Sequence, residues 1–281
     1  MLTRRGVRVL SSADLGAFLD LASADPVANV FVIHRAQTTN LEPRWLGGEM
    51  WGRYDDGELV AACHVAANLV PVQAGPEDAV AFAERALTRR RTASTIVGPQ
   101  DAVRPFWEQV VAEWGSPREI RWDQRHMQIE GAPSVAPDPA VRVSDRSDMP
   151  ALYPACVAMY TEEVGVSPEI AGSSDLYRAR VLQLVNRGWS FARYDDSGAL
   201  VFKAEVACAT PDAAQIQGVW VPPRLRGKGI ATAGMAAVVE QVRATIAPVV
   251  SLYVNDWNLA ARTAYERVGF AETHRFATVM F

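Results

Sequence analysis

The fold is decided by one stretch of this chain, Gln217-Gly218-Val219-Trp220-Val221-Pro222-Pro223-Arg224-Leu225-Arg226-Gly227-Lys228-Gly229-Ile230-Ala231. A short apolar strand leads into a turn rich in glycine and arginine, and a long helical pattern follows at once. Glycines let the backbone approach a ligand closely, and the first N–H groups of a helix have no intrahelical partners. The helix dipole and the side chains of Arg224, Arg226 and Lys228 favour negative charge, and the turn holds no Asp or Glu. The turn therefore predicts a site for a phosphate or pyrophosphate.

Single positions exclude two common phosphate motifs. A P-loop has Ser or Thr directly after Gly-Lys, but Gly229 follows Lys228 here. A dinucleotide fingerprint G-x-G-x-x-G has a third glycine where Thr232 stands. The spacing Arg224-x-x-Gly227-x-Gly229 instead resembles the acetyl-CoA pyrophosphate loop of the GNAT superfamily of N-acetyltransferases. The alternative is an ordinary strand, turn and helix whose helix start is basic.

A second segment, at the distance that the family requires, strengthens the resemblance. Residues 251–255 are typical of a strand, and residues 258–270 of a helix with Asn258 as its N-cap and a glycine at its end. The pattern Asn-x-x-Ala-x-x-x-Tyr-x-x-x-Gly-Phe resembles the second half of the GNAT coenzyme site. Ala261 lies one turn before Tyr265 on the same helix face, where a small side chain lets a pantetheine arm pass close to the backbone.

The composition limits the class of protein. The chain has 281 residues, 49% of them hydrophobic, which suits two modest domains or one large one. Its net charge of −4 does not favour a nucleic-acid surface. Three scattered cysteines fit a reducing compartment, and four histidines without ligand spacing predict no metal site. No apolar run approaches the roughly 20 residues of a membrane span, so we expect a cytoplasmic protein without a membrane partner.

A segment rich in proline and small residues, 131–139, predicts a linker between two domains. Downstream, residues 140–281 follow the order βααβββαβαβ, which is the order of a GNAT domain. The predicted elements are strand 141–144, helices 148–163 and 175–186, strands 189–194, 200–209 and 215–221, helix 224–246, strand 251–255, helix 258–270 and strand 272–281.

The first domain, residues 1–131, resembles a degenerate copy of the same plan. Both halves carry a hairpin with the phrase Arg-Tyr-Asp-Asp, then Gly and Leu-Val, at 53–60 and 193–201. The segments 86–91 and 97–100, where a phosphate turn is expected, do not form one. We therefore predict two tandem GNAT-like α/β (α+β) domains, each a mixed central sheet covered by helices, with the coenzyme site in the second only. An unrelated α/β cap is the alternative for the first.

The resemblance implies roles for named residues in the coenzyme site. The backbone of Val219 or Val221 holds the acetyl carbonyl, Asn258 contacts the pantetheine arm, and Tyr265 gives a proton to the departing sulfur as general acid. A half-buried aromatic on an amphipathic helix is the alternative for Tyr265. Backbone amides cradle the pyrophosphate, and they belong to Leu225, Arg226, Gly227, Lys228, Gly229 and Ile230.

The general base is left open by the sequence. Some GNAT enzymes have a glutamate on the strand before the motif helix, where this chain has Tyr253 or Asn255. Glu205 is the preferred candidate, and we expect it opposite Val219 on the neighbouring strand. A structural pair of Glu205 with Lys203, water, or the terminal carboxylate of Phe281 are the alternatives.

The acceptor site is expected at the end of the first helix of the second domain. Tyr160, Glu162 and Glu163 lie there, and two acids beside an aromatic ring attract an ammonium group. An exposed helix end explains the same residues without a ligand.

Together these observations predict an acetyl-CoA-dependent N-acetyltransferase. It acts by direct attack of a primary amine, on a small molecule or a peptide, since neither motif contains a cysteine. The alternatives are a mycothiol-synthase-like metabolite acetyltransferase, a non-catalytic acetyl-CoA-binding regulatory module, and a transferase with an aminoacyl-tRNA donor. The sequence does not name the acceptor, the acyl-chain preference or the oligomeric state.

Overall fold

The computed structural model describes residues 6–170 and 174–281, which fall into two compact units. Unit 1 contains the chain up to Met127, together with Tyr253–Trp257 and Glu272–Phe281. Unit 2 contains Gln128–Leu252 and Asn258–Ala271. In the part of the chain that the structure describes, no helix is long and apolar enough to cross a membrane.

Unit 1 follows the order of elements seen again in unit 2. Its elements are β1 (Gly6–Val9), α1 (Leu15–Ala22), α2 (Val30–Thr39), α3 (Pro43–Leu46), β2 (Glu49–Asp55), β3 (Glu58–Val65), β4 (Asn68–Val72), α4 (Pro76–Leu87), β5 (Thr95–Pro99), α5 (Gln100–Trp114) and β6 (Glu119–Ile129, which unit 1 includes up to Met127).

The sheet of unit 1 is covered on both faces. Alternate residues of a strand point to opposite faces, and Met50 and Trp51 on β2 enter different core clusters. Trp51 packs with α4 and α5, through residues such as Phe82 and Phe106, whereas Met50 packs with α1 and α2, through residues such as Phe18.

One strand of unit 1 comes from the end of the chain. Strand β12 (Ala271–Met280) pairs antiparallel with β5, from Phe276 opposite Pro99 to Met280 opposite Thr95. The strand order in this unit is β1-β2-β3-β4-β5-β12-β6. The sequence places residues 272–281 in the second domain, but their hydrogen bonds join them to unit 1.

Unit 2 repeats the plan without a counterpart of α3. Its elements are β7 (Arg142–Val143), α6 (Met149–Val164), α7 (Ser174–Asn186), β8 (Ser190–Tyr194), β9 (Leu200–Ala209), β10 (Ala213–Trp220), α8 (Ile230–Thr245), the first part of β11 (Val249–Asn255) and α9 (Leu259–Val268). The strand order is β11-β10-β9-β8-β7, with β10 and β11 parallel.

Helices cover both faces of this sheet too. α6 and α7 supply Leu152 and Val181 to a core cluster with Ala192 of β8. On α8, a Cβ added at Gly234 would lie 2.9 Å from the ring of Phe202 on β9, so only glycine lets helix and strand approach so closely. The expected fold class, a mixed sheet flanked by helices, is confirmed.

Several element boundaries differ from the sequence prediction. α8 begins at Ile230, not Arg224, because the chain between them forms a turn that ends in the left-handed conformation of Gly229. β7 covers Arg142–Val143 rather than residues 141–144, and β10 covers Ala213–Trp220 rather than residues 215–221.

Candidate coenzyme and acceptor site

Strand β10 carries a bulge at the point where the sequence places the acetyl group. Its pairing with β9 runs from Gln217 opposite Glu205 to Trp220 opposite Lys203. Three steps along β10 therefore match two along β9, and the extra residue lies at Gly218–Val219. Gly218 has a φ of +61°, which an L side chain rarely adopts. The sequence-based register, with Glu205 opposite Val219, is wrong by two residues.

Beyond the bulge, the turn is open to solvent. Gly227 and Gly229 have φ values of +74° and +77°, and a Cβ built on either meets no heavy atom within 4 Å. Arg224 and Lys228 are exposed. The N–H groups of residues 227–230 have no backbone acceptor among the described residues, so they can receive an anion.

Two of the predicted cradle amides are already bonded inside the turn. The N–H of Leu225 donates to the carbonyl of Pro222 at 2.8 Å, and that of Arg226 donates to Pro223 at 3.3 Å. The available amides are therefore those of residues 227–230.

The side chain of Arg226 is bound to the protein. Its two terminal nitrogens donate to both carboxylate oxygens of Glu162 at 2.7 Å, and Nε donates to the carbonyl of Val221 at 3.0 Å. Trp220 Nε1 donates to the same carboxylate at 3.0 Å. The hydrogen bond from Arg226 holds the pKa of Glu162 below its ordinary value. Glu162, predicted to bind the acceptor, thus joins the end of α6 to the turn.

A buried polar cluster lies beneath the bulge. Lys203 is fully buried, and its Nζ contacts Glu205 Oε2 at 3.2 Å and the carbonyl oxygen of Gly218 at 2.9 Å. Gln217 Nε2 donates to the other oxygen of Glu205 at 2.9 Å. Because Glu205 is only 8% exposed, the pair satisfies the rule that buried charges need partners. The ion pair that the sequence left as an alternative therefore exists.

Helix α9 presents the second motif. Asn258 Oδ1 accepts a hydrogen bond from the N–H of Ala261 at 3.2 Å, so Asn258 acts as the N-cap. Tyr265 is 7% exposed and packs against Phe270. Burial raises the pKa of Tyr265, and the negative charge of Glu163 raises it further. The phenol is therefore neutral, the form that a proton donor needs.

An aromatic pocket lies between α6 and α7. It has a volume of about 410 Å³, and Tyr160 and Tyr177 pack edge to face in its wall, with centroids 5.4 Å apart. Arg180, Pro168 and Leu176 complete much of the lining. Of the three predicted acceptor residues, only Tyr160 lines this pocket. Tyr177 and Arg180 escaped the sequence analysis, which had no signal to separate them from other polar residues of a surface helix.

Fold and site together define a class, an α/β domain with a bulged strand that leads through a basic, glycine-containing turn into a helix. Residues 160–270 match the family model described as acetyltransferase (GNAT) family. Members of the family are acetyltransferases that use an acyl-CoA donor. Residues 48–152 match a domain of unknown function (DUF4081).

Solved structures share the fold over nearly the whole chain. A GCN5-related N-acetyltransferase from Sphaerobacter thermophilus is 21% identical with a TM-score of 0.61, over 98% of this chain and 94% of that one. A tandem GNAT protein from the clavulanic acid biosynthesis pathway is 16% identical with a TM-score of 0.57, over 99% and 98%. A GNAT-family acetyltransferase from Colwellia psychrerythraea is 14% identical with the same TM-score, over 98% and 99%. No curated protein matches the sequence.

Proposed function

We propose that this protein is an acetyl-CoA-dependent N-acetyltransferase that acetylates a primary amine of a small molecule or peptide. The observation that carries the proposal is the open turn at residues 227–230, which directly follows a bulged strand. An anion site that directly follows a bulge supports a ligand with a diphosphate at one end and a reacting carbonyl at the other. The acetyl group is the proposed acyl group, and the domain 140–281 is proposed to hold the site.

The turn binds the charged end of the coenzyme in this proposal. The free N–H groups of residues 227–230 donate to the pyrophosphate, and Arg224 and Lys228 add charge from exposed positions. Arg226 has a different role, since its guanidinium holds the turn against Glu162. Asn258 and Ala261 lie at the start of α9, where the narrow pantetheine arm passes.

Acetyl transfer then needs three groups. The N–H of Val219 or Val221 donates to the thioester oxygen as negative charge develops there. The amine nitrogen forms a bond to the carbonyl carbon while the carbon–sulfur bond breaks, and Tyr265 gives its phenolic proton to the leaving sulfur. Glu205 accepts the proton that the amine loses, directly or through a water.

The acceptor is proposed to enter through the pocket between α6 and α7. The rings of Tyr160 and Tyr177 suit an apolar or cationic group, and Glu163 adds a negative charge that attracts an ammonium ion. Arg180, in the same pocket, suits an acceptor that also carries an anionic group.

Turnover with a panel of amines tests the proposal. The protein is mixed with acetyl-CoA and each amine, released thiol is followed by a colorimetric reagent, and the acetylated product is identified by mass spectrometry. We expect thiol release that depends on one class of amine. Binding of acetyl-CoA by calorimetry without turnover on any amine would instead identify a non-catalytic coenzyme-binding module.

A further inference from the structure

Lys203 has no role in the proposed reaction, yet its side chain is the most buried charge in the described part of unit 2. Its relative exposure is 0%. Burial by itself lowers the pKa of Lys203, but the charge of Glu205, with hydrogen bonds to Glu205 and Cys156, raises it above the ordinary value. Nζ is therefore an ammonium at neutral pH. Burial raises the pKa of Cys156 to about 11, so its thiol is neutral and Glu205 alone balances the charge.

The hydrogen bond from Lys203 to the bulge fixes the orientation of one peptide group. The carbonyl of Gly218 and the N–H of Val219 belong to the same peptide plane, and the described chain has no cis peptide bonds. In a planar trans peptide, the C=O and the N–H point in opposite directions. Because Nζ holds the Gly218 oxygen at 2.9 Å, the N–H of Val219 points away from the buried cluster.

The ordinary sheet ladder does not fix this peptide. The register between β9 and β10 skips Gly218 and Val219, so neither faces a paired residue. A Cβ at position 218 would lie 3.0 Å from both Lys203 Nζ and the carboxyl carbon of Glu205, so the ion pair lies directly against the bulge. The long side chain of Lys203 thus replaces the missing ladder partner.

We propose that Lys203 is a positioning residue that aims and polarises the Val219 N–H as the donor to the reacting carbonyl. This inference rests on the proposed function, because only the proposed reaction supplies a carbonyl oxygen that the Val219 N–H can bind. An ammonium that donates to one end of a peptide draws electron density from it, and hydrogen bonds in a chain strengthen one another in a low dielectric. Preorganised donors of this kind act where charge develops during the reaction.

The test compares two variants that differ only in the side chain at position 203. The first is Lys203→Met with Glu205→Gln, which removes both charges and leaves no lone buried carboxylate. The second, Glu205→Gln alone, is the matched control, in which the Lys203 amine, charged or neutral, can still donate a hydrogen bond to the carbonyl of Gly218. The amide proton of Val219 is measured by NMR in ¹⁵N-valine-labelled protein without acetyl-CoA. We expect it to move upfield, towards a weaker donor, in the double variant but not in the control.

Kinetics provide the second measurement. We expect kcat of the double variant to fall about 10-fold or more below that of the control, a part of the loss seen when an oxyanion donor is removed. The dissociation constant of acetyl-CoA should stay the same, because the turn at residues 227–230 is unchanged. A merely structural role for Lys203 would weaken binding and turnover together.

Equal Val219 signals in the two variants, or equal kcat values, overturn the inference. If the double variant does not fold, the unaltered protein is labelled with ¹⁵N-lysine and ¹³C-glycine. A scalar coupling across the hydrogen bond from Lys203 to Gly218 supports the inference, and its absence overturns it. The Val219 measurement needs no coenzyme, so it separates this inference from the acetyltransferase proposal, which fails if the unaltered protein neither binds nor turns over acetyl-CoA.

Discussion

The starts of α4 in unit 1 and α8 in unit 2 differ in what occupies the helix N-terminus. In unit 1, Asp78 Oδ2 accepts a hydrogen bond from the N–H of Gly75 at 2.8 Å and also pairs with Arg53. In unit 2, the equivalent turn has two left-handed glycines and exposed cations, and it holds no carboxylate. The first helix neutralises its dipole with its own side chain, whereas the second leaves that position to a ligand.

The neighbouring strands differ in the same sense. β3 and β4 pair without a register shift, from Ala62 opposite Val72 to Val65 opposite Leu69. When the shared Leu-Val of the two hairpins is aligned, Ala62 and His64 take the positions of Lys203 and Glu205. Burial lowers the pKa of His64 to about 4, so its ring is neutral at pH 7. At these aligned positions, unit 1 has neither the bulge nor the buried ion pair. The two units thus share an order of elements, but only unit 2 has the features of the candidate site.

The largest effect is expected when the start of α8 is made to resemble that of α4. Gly229→Asp adds a carboxylate where phosphate is proposed to bind, and like charges in contact cost several kcal/mol. At 1.4 kcal/mol per tenfold change, we expect acetyl-CoA affinity to fall about 100-fold or more in calorimetry.

The control for this variant is Gly57→Asp in unit 1. Gly57 also has a positive φ, +90°, with no heavy atom within 4 Å of a Cβ, so it carries the same backbone strain. Equal loss of affinity in both variants would assign the effect to strain and not to charge.

The second prediction concerns Tyr265, which lies four residues before Gly269 at the end of α9. In unit 1, Val111 lies four residues before Gly115 at the end of α5, so the equivalent position has no phenol. Tyr265→Phe removes the proton donor with little change of shape, so we expect kcat to fall about 10- to 1,000-fold while acetyl-CoA affinity is kept. Because its pKa is raised, the phenol stays protonated above the usual range, and the unaltered enzyme should not lose activity through Tyr265 up to about pH 10. Unchanged turnover of the variant would show that Tyr265 only packs in the core and is not the general acid.

The third prediction concerns Glu205, whose aligned position in unit 1 is taken by His64. Glu205→Gln should lower the rate about 10- to 100-fold at neutral pH, and activity should recover in part at alkaline pH, where more of the amine is already neutral. A pH–rate profile of variant and unaltered protein measures this. Full activity of the variant at neutral pH would show that Glu205 is not the base.

The smallest effect is expected in unit 1. Asp78→Ala removes the carboxylate of the capping box, which should lower the free energy of unfolding by about 1 kcal/mol, measured with urea. Coenzyme stoichiometry should stay at one per chain, because the turn before α4, Gln73-Ala74-Gly75, offers no cation. A second binding site in this variant would contradict the view that unit 1 has lost the chemistry of the turn.

The sequence predicted most of unit 2 because its signals are local. Strand β9 begins and ends at the predicted residues, and the glycine-rich turn and the helix after it obey short-range rules. The roles of Arg226 and Glu162 were not predictable, since 64 positions separate the partners and only the fold brings them together. The register opposite Glu205 was predicted wrongly for a related reason, because a one-residue excess in β10 is defined only by its pairing with β9.

The donation of β12 to unit 1 has a consequence for how the chain is made. β5 leaves the ribosome about 170 residues before the strand that pairs with it, a gap of roughly 10–35 s at typical synthesis rates. During that time the edge of β5 facing β12 is open, and an unpaired edge strand can recruit other chains. We expect nascent protein released before residue 271 to aggregate or to require a chaperone, and we expect the charged residues at the start of β12, Glu272 and Arg275, to keep the late strand soluble until it docks.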